Sequence, residues 1–160
     1  MYELKLLHQL LLRMCKELQY LHGQRLREIR VDEAIIKAAK KGMVEFVTAI
    51  WSACPELVWA EEQGTRRNPF MCAVLHRQHE IFRLLYGFGL KDSILAKTDN
   101  DGNNILHIAA MTEPSARRNT VPGAAFHMQR EVQWFQVISL ALYYLDIYFQ
   151  SEVLSSLGIL

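Results

Sequence analysis

Three short stretches recur along the chain at nearly constant spacing, and this periodicity limits the available folds more than any other feature. Residues 33–39 (EAIIKAA), 68–74 (NPFMCAV) and 104–110 (NILHIAA) align, and anchoring on Ala34, Pro69 and Ile105 gives steps of 35 and 36 residues. Periods of about 20–50 residues mark arrays in which each unit is one supersecondary element. Each stretch predicts a short helix. In the first two units a turn follows, at 40–42 (KKG) and 76–78 (HRQ), and then a second apolar helix at 44–50 and 80–86. Polar turns with glycine, 61–64 (EEQG) and 99–102 (DNDG), separate the units, and glycine reaches positive φ there without steric penalty. A helix pair this small cannot bury both apolar faces alone, so neighbouring pairs stack into one continuous core. With no period-2 strands, the expectation is an all-α helical solenoid of about three repeat units.

Ahead of the repeats, Leu4, Leu7, Leu11, Met14, Leu18 and Leu21 alternate three and four apart, which places them on one helical face. The first thirty residues read as one helix, or as two joined at Gly23. Such a stripe serves a coiled-coil seam or a helix packed onto its own domain. Fewer than three full heptads favour the second, an N-terminal leucine-rich capping helix.

At 104–110 the chain resembles the Thr-Pro-Leu-His-x-Ala-Ala signature of ankyrin repeats, with 99–102 as the preceding hairpin turn. The resemblance implies that His107 is the signature histidine, whose imidazole ties the turn together, and that Gly102 belongs to that structural turn. Ile36 and Met71 hold the histidine position in the other two copies, and Pro69 keeps the proline. Each turn bond lost in this way is worth about 0.5–1.5 kcal/mol. Residues 68–78, 101–107 and 121–135 together resemble plant ankyrin-repeat membrane proteins with a C-terminal PGG domain, of the accelerated-cell-death and salt-tolerance type. The likeness runs from about Leu4 to Phe135, and residues 136–160 depart from it. It implies a chain truncated before the PGG domain, with a setting in plant stress or defence signalling at the plasma membrane. The expected domains are a cap at 1–30, ankyrin repeats at 31–120, a PGG-family linker helix at 121–135 and a divergent apolar tail at 136–160.

Composition excludes several classes. The 160 residues suit about one domain, and with 51% hydrophobic and 22% charged residues the chain is too apolar for disorder. Lys and Arg total 18 against 17 Asp and Glu, a balance that argues against a phosphate-gripping nucleic-acid binder. Cys15, Cys54 and Cys72 are odd in number and form no Cys-x-x-Cys pair, which predicts a reducing, intracellular compartment. The start has no clean basic region, and no secretory signal peptide is expected. The most apolar window, residues 137–149, holds thirteen residues including Ser139 and Asp146, short of the roughly 20 that a membrane span needs.

Reactive chemistry finds little support. His76 and His79 lie three apart, but no third ligand is adjacent, and both fall in an inter-helix turn. Setting Gly102 as the sixth position of a calcium loop puts Lys97 and Ile108 where carboxylates are required. Gly87 and Gly89 begin a phosphate loop that lacks its third glycine. The cysteines sit in apolar helical surroundings, where a thiol behaves as a small hydrophobe. The expectation is therefore not an enzyme, with no catalytic residue, metal or cofactor. Lys37, Lys40 and Lys41, Arg66 and Arg67, and Arg117 and Arg118 form basic clusters, read as a solvated, mixed surface because Glu61, Glu62 and Glu113 neighbour them.

The expected function is a protein–protein interaction module acting through its stacked surface. The candidate partner-binding residues are Arg66, Arg67, Lys97, Thr98, Asp99, Asn100, Asp101 and Asn103 at the hairpin tips. Lys37, Cys72 and Ile108, at the variable signature position, add to the groove. The partner is a protein, with no nucleic acid. Two alternatives stand beside this reading: a membrane-associated signalling subunit held by partner chains or by residues 137–149, and a truncated product with little activity of its own. The apolar tail is expected to fold as a helix over the open end of the array, after an amphipathic helix at 122–135.

Overall fold

The computed structural model describes residues 2–20, 30–87, 91–111 and 124–156. Leu21, Gly23, Gly89, Arg117, Arg118, residues 121–123 and the last four residues lie outside the described residues, as do the side chains of Leu4 and Leu7. The described residues are all-helical, with eight α-helices and no strand. In chain order these are α1 (Tyr2–Gln19), α2 (Val31–Lys41), α3 (Val44–Ala53), α4 (Pro69–Leu75), α5 (His79–Arg83), α6 (Lys91–Leu95), α7 (Ile105–Ala110) and α8 (Ala124–Ser156). Short 3₁₀ turns follow α3 at Pro55–Trp59 and α5 at Leu84–Gly87.

Local chemistry accounts for the ends of these helices. Asp32 and Glu33 occupy the first turn of α2 and Lys40 and Lys41 its last, each charge complementing the nearer end of the helix dipole. Asn68 caps α4, its side chain accepting from the Met71 N–H at 2.8 Å, and Pro69 stands at the first helical position, where a missing N–H does no harm. Asn104 and His107 form a reciprocal capping box at α7. The Asn104 side chain accepts from the His107 N–H at 3.1 Å, while His107 Nδ1 accepts from the Asn104 N–H at 3.2 Å.

Helix α2 packs against α4 and α4 against α7, while α3 packs against α2, α5 and α1. Every residue of α4 is buried, as expected of a short helix that is apolar all round. The largest fully buried side chains include Phe70, Ile35, Ile50, Met71, Ile81 and Leu85, and Trp51 lies against Phe70 with ring centroids 5.1 Å apart.

The 35-residue step reappears in backbone geometry. Helix α2 closes with Met43 N–H donating to Ala38 O at 3.0 Å and Gly42 N–H donating to Ala39 O at 3.2 Å. Helix α4 closes with Gln78 N–H donating to Ala73 O at 2.8 Å and Arg77 N–H donating to Val74 O at 3.2 Å. Both are the bond pattern of a Schellman cap, which needs a left-handed residue. Gly42 supplies it at φ 70 and Arg77 at φ 59.

The structure departs from the sequence expectations at both ends. In α1, Cys15 and Leu18 are buried and Leu11 is half-buried, whereas Met14 is 50% exposed and Leu10 53%. The face against α3 thus runs through Cys15 instead of Met14, and the Cys54 thiol donates to Leu18 O at 3.5 Å. A heptad stripe read at period 3.5 drifts from a straight helix of 3.6 residues per turn, so tertiary contact selects the face. At the other end, α8 runs unbroken for 33 residues through the expected boundary after Phe135.

Candidate functional site

The two polar turns lie side by side and are tied to each other. In the first, Glu62 N–H donates to Arg67 O at 2.9 Å and Arg66 N–H to Glu62 O at 2.8 Å, with Gly64 (φ 89) and Arg66 (φ 58) in left-handed conformations. In the second, Asp99 N–H donates to Asn103 O at 2.9 Å and Gly102, at φ 78, donates to Asp99 O at 3.0 Å. Asn100 bridges them, its N–H donating to Thr65 O at 2.9 Å and its side-chain amide to Gly64 O.

Asp99 organises the second turn. Its carboxylate accepts from the Asp101 N–H at 3.0 Å, the Asn103 N–H at 2.8 Å and the Arg67 guanidinium at 3.1 Å. Its side chain is 1% exposed and that of Arg67 15%, so this pair is screened little by solvent. Burial pushes the Asp99 carboxyl up, but hydrogen bonds from Asn103, Arg67 and Asp101 outweigh it and hold the group below the ordinary range. Glu62 follows the same logic: burial raises it, and Lys40 and Thr65 bring it below its usual value. Lys40 of α2 pairs with Glu62, joining the first helix row to the turn.

Toward solvent, Glu61 receives Arg66 at 2.9 Å and Lys97 at 3.4 Å, and the Arg66 hydrogen bond is the main reason its carboxyl titrates low. The Lys97 ammonium also lies 5.9 Å from the Trp59 ring centroid. This makes an exposed cluster of one aromatic, two cations and one carboxylate at the turn edge.

The expected contact residues divide three ways. Arg67, Asp99, Asn100 and Asn103 hold the turns to one another, and Arg66 and Lys97 share Glu61. Thr98, Asp101 and Lys37 are exposed. Cys72 and Ile108 are each 0% exposed, which corrects their assignment to a groove: in these two units the variable signature position points into the core, whereas Lys37 holds it outside. Burial pushes the Cys72 thiol up to about 12, which leaves it protonated and inert. His107 lies in the cap of α7, where its Nδ1 accepts from the Asn104 N–H, and Gly102 lies in the turn at φ 78.

Residue types alone did not single out Trp59, Arg77, Glu131 or Trp134. Their long-range partners stand 38 to 57 residues away along the chain, beyond the reach of local spacing. The one available signal was Arg77, a non-glycine residue aligned with Gly42.

Two clefts flank the packed helices. One of about 450 Å³ lies between α1, α2 and α3, lined by Leu10, Met14, Val31, Phe46 and Ile50 with Arg13 and Glu17 at its rim. The other, about 580 Å³, lies between α6, α7 and α8, with Asp92, Ile105, Ser139 and Leu142 among its walls. Among the described residues, no group of three His, Cys, Asp or Glu side chains could hold a metal ion, and no helix is long and apolar enough to cross a membrane. Compared with known protein families, curated proteins and solved structures, the chain matches none.

Proposed function

We propose that the chain is a non-catalytic, ankyrin-type interaction module that binds a protein partner through its outward turn row and the adjoining face of α2. The observation that carries this reading is the repeated closure of α2 and α4 by the same two backbone bonds 35 residues apart, with α2, α4 and α7 packed in succession. Units that close and stack identically repeat their turns at one edge, and a rigid edge of that kind binds with little rearrangement. The turns are cross-tied by Arg67, Asp99 and Asn100, so the exposed side chains of Lys37, Thr98 and Asp101 stand on a fixed base. The family resemblance supplies a setting in plant stress or defence signalling at the plasma membrane, and the three unpaired cysteines suit an intracellular one.

The test uses substitution sets on the full chain. A partner retained stoichiometrically and saturably is expected to bind at least about 10-fold more weakly to the Lys37→Ala/Thr98→Ala/Asp101→Ala variant, with thermal stability unchanged. Glu45→Ala/Thr48→Ala, exposed on α3, should bind as the parent does. Equal binding by both variants would remove the turn row from the interface.

A second reading, a membrane-associated subunit, draws on α8, where Phe126, Met128, Val137, Leu140 and Tyr143 are exposed. Co-sedimentation of the full chain with anionic vesicles, abolished by polar substitution of Val137 and Leu140, would favour it over the first.

A further inference from the structure

Arg77 occupies the left-handed position that Gly42 holds one unit earlier, and its long cationic side chain reaches out of its own unit. The guanidinium donates to Val74 O at 3.1 Å within α4 and to Met111 O at 2.7 Å beyond the end of α7. The same group pairs with Glu131 of α8 and lies 5.6 Å from the centroid of the Trp134 ring. One side chain thus joins α4, the end of α7 and α8, although Arg77 and Glu131 are 54 residues apart.

The remaining hold on α8 is slight. Among its described side chains Ile138 is the fully buried one, with Trp134, Ala141 and Leu142 half-buried against the core. Phe126, Met128, Val132, Val137, Leu140 and Tyr143 face solvent. The contact also carries penalties, because Arg77 Nε and Trp134 Nε1 are buried without a hydrogen-bond partner among the described residues. Little apolar burial, one central ion pair and two unmet donors make undocking of α8 less costly than unfolding of the packed core.

We propose that Arg77 and Glu131 form a salt-sensitive latch and that α8 is a releasable cap. Closed, α8 covers α7; open, it bares the outer face of α7 and the Arg77 guanidinium together, while α2 to α5 stay packed. The Glu131 side chain keeps 22% exposure against 1% for Asp99, so salt reaches this pair through its carboxylate more than it reaches the Asp99–Arg67 pair. The latch does not depend on the ankyrin reading, since its parts are defined by geometry alone.

Hydrogen exchange on the full chain tests it. In the parent, amides of residues 126–143 should exchange about 10-fold faster at high salt than at low salt, with α2 and α4 unchanged. Glu131→Gln should exchange fast in α8 at both salt levels and lose the salt dependence. Arg77→Gly relieves the left-handed strain, so the turn at 76–78 should keep its protection while α8 loses its own. Parent-like protection of α8 in Glu131→Gln, or α8 and α4 accelerating in parallel with salt, would overturn the latch.

Discussion

Single residues in this protein do their work through partners far away in the chain, and Asp99 is the clearest case. It fixes its own turn through Asp101 and Asn103 and reaches back one unit to Arg67. Asp99→Asn preserves the shape but leaves the Arg67 charge sheltered and unpaired, and should destabilise the fold by about 2 kcal/mol at neutral pH. The pH dependence has a definite sign. A carboxyl held below its ordinary value contributes stability above pH ~4, lost as pH falls through the folded value. The gap in thermal stability between parent and Asp99→Asn should therefore close below pH ~4, as thermal melts across that range would record; a constant gap would rule out this role.

At the scale of helices, the two Schellman closures show one geometric demand met by different residues. Gly42 meets it without steric penalty, and a Cβ built there would stand 2.2 Å from the Gln78 side-chain oxygen. That side chain also donates to Lys40 O at 3.3 Å, so Gly42→Ala adds left-handed strain and displaces a tie between units. The expected loss is about 1–2 kcal/mol by chemical denaturation. Gly64→Ala has open space around it and carries the conformational term alone, so it should cost less. The helix positions were legible in the repeated stretches at 68–74 and 104–110, whereas the capping parts of Asn68 and of Asn104 with His107 came from the structure. The face that α1 buries was not legible, because Met14 and Cys15 both fit an apolar stripe and only the position of α3 chooses between them.

For the molecule as a whole, α8 closes one end of the packed helices through a narrow strip. Ile138 is 1% exposed and Leu140 56%, although both are apolar residues of one helix. Ile138→Ala should cost about 2–4 kcal/mol, whereas Leu140→Ala should fall within about 0.5 kcal/mol of the parent. Equal effects in thermal melts would mean that α8 is not docked on this face. The tail was expected to fold as its own helix over the open end after one at 122–135; instead a single helix spans residues 124–156, a stretch with no proline or glycine to break it, and Ile138 is buried.

What this chain carries in its primary structure is chiefly what acts over a few residues or repeats along it. That includes the helical periodicity, the 35-residue step and the turns around Gly64 and Gly102. Tertiary structure alone decided which polar side chains stay exposed. It paired Arg67 with Asp99 and Arg77 with Glu131, turned Cys72 and Ile108 into the core, and left Lys37, Thr98 and Asp101 outside. The physical reason is range. Dihedral preference and capping act on neighbours in the chain, whereas burial and charge pairing act on neighbours in space, and only packing brings residues 30 or 50 positions apart into contact.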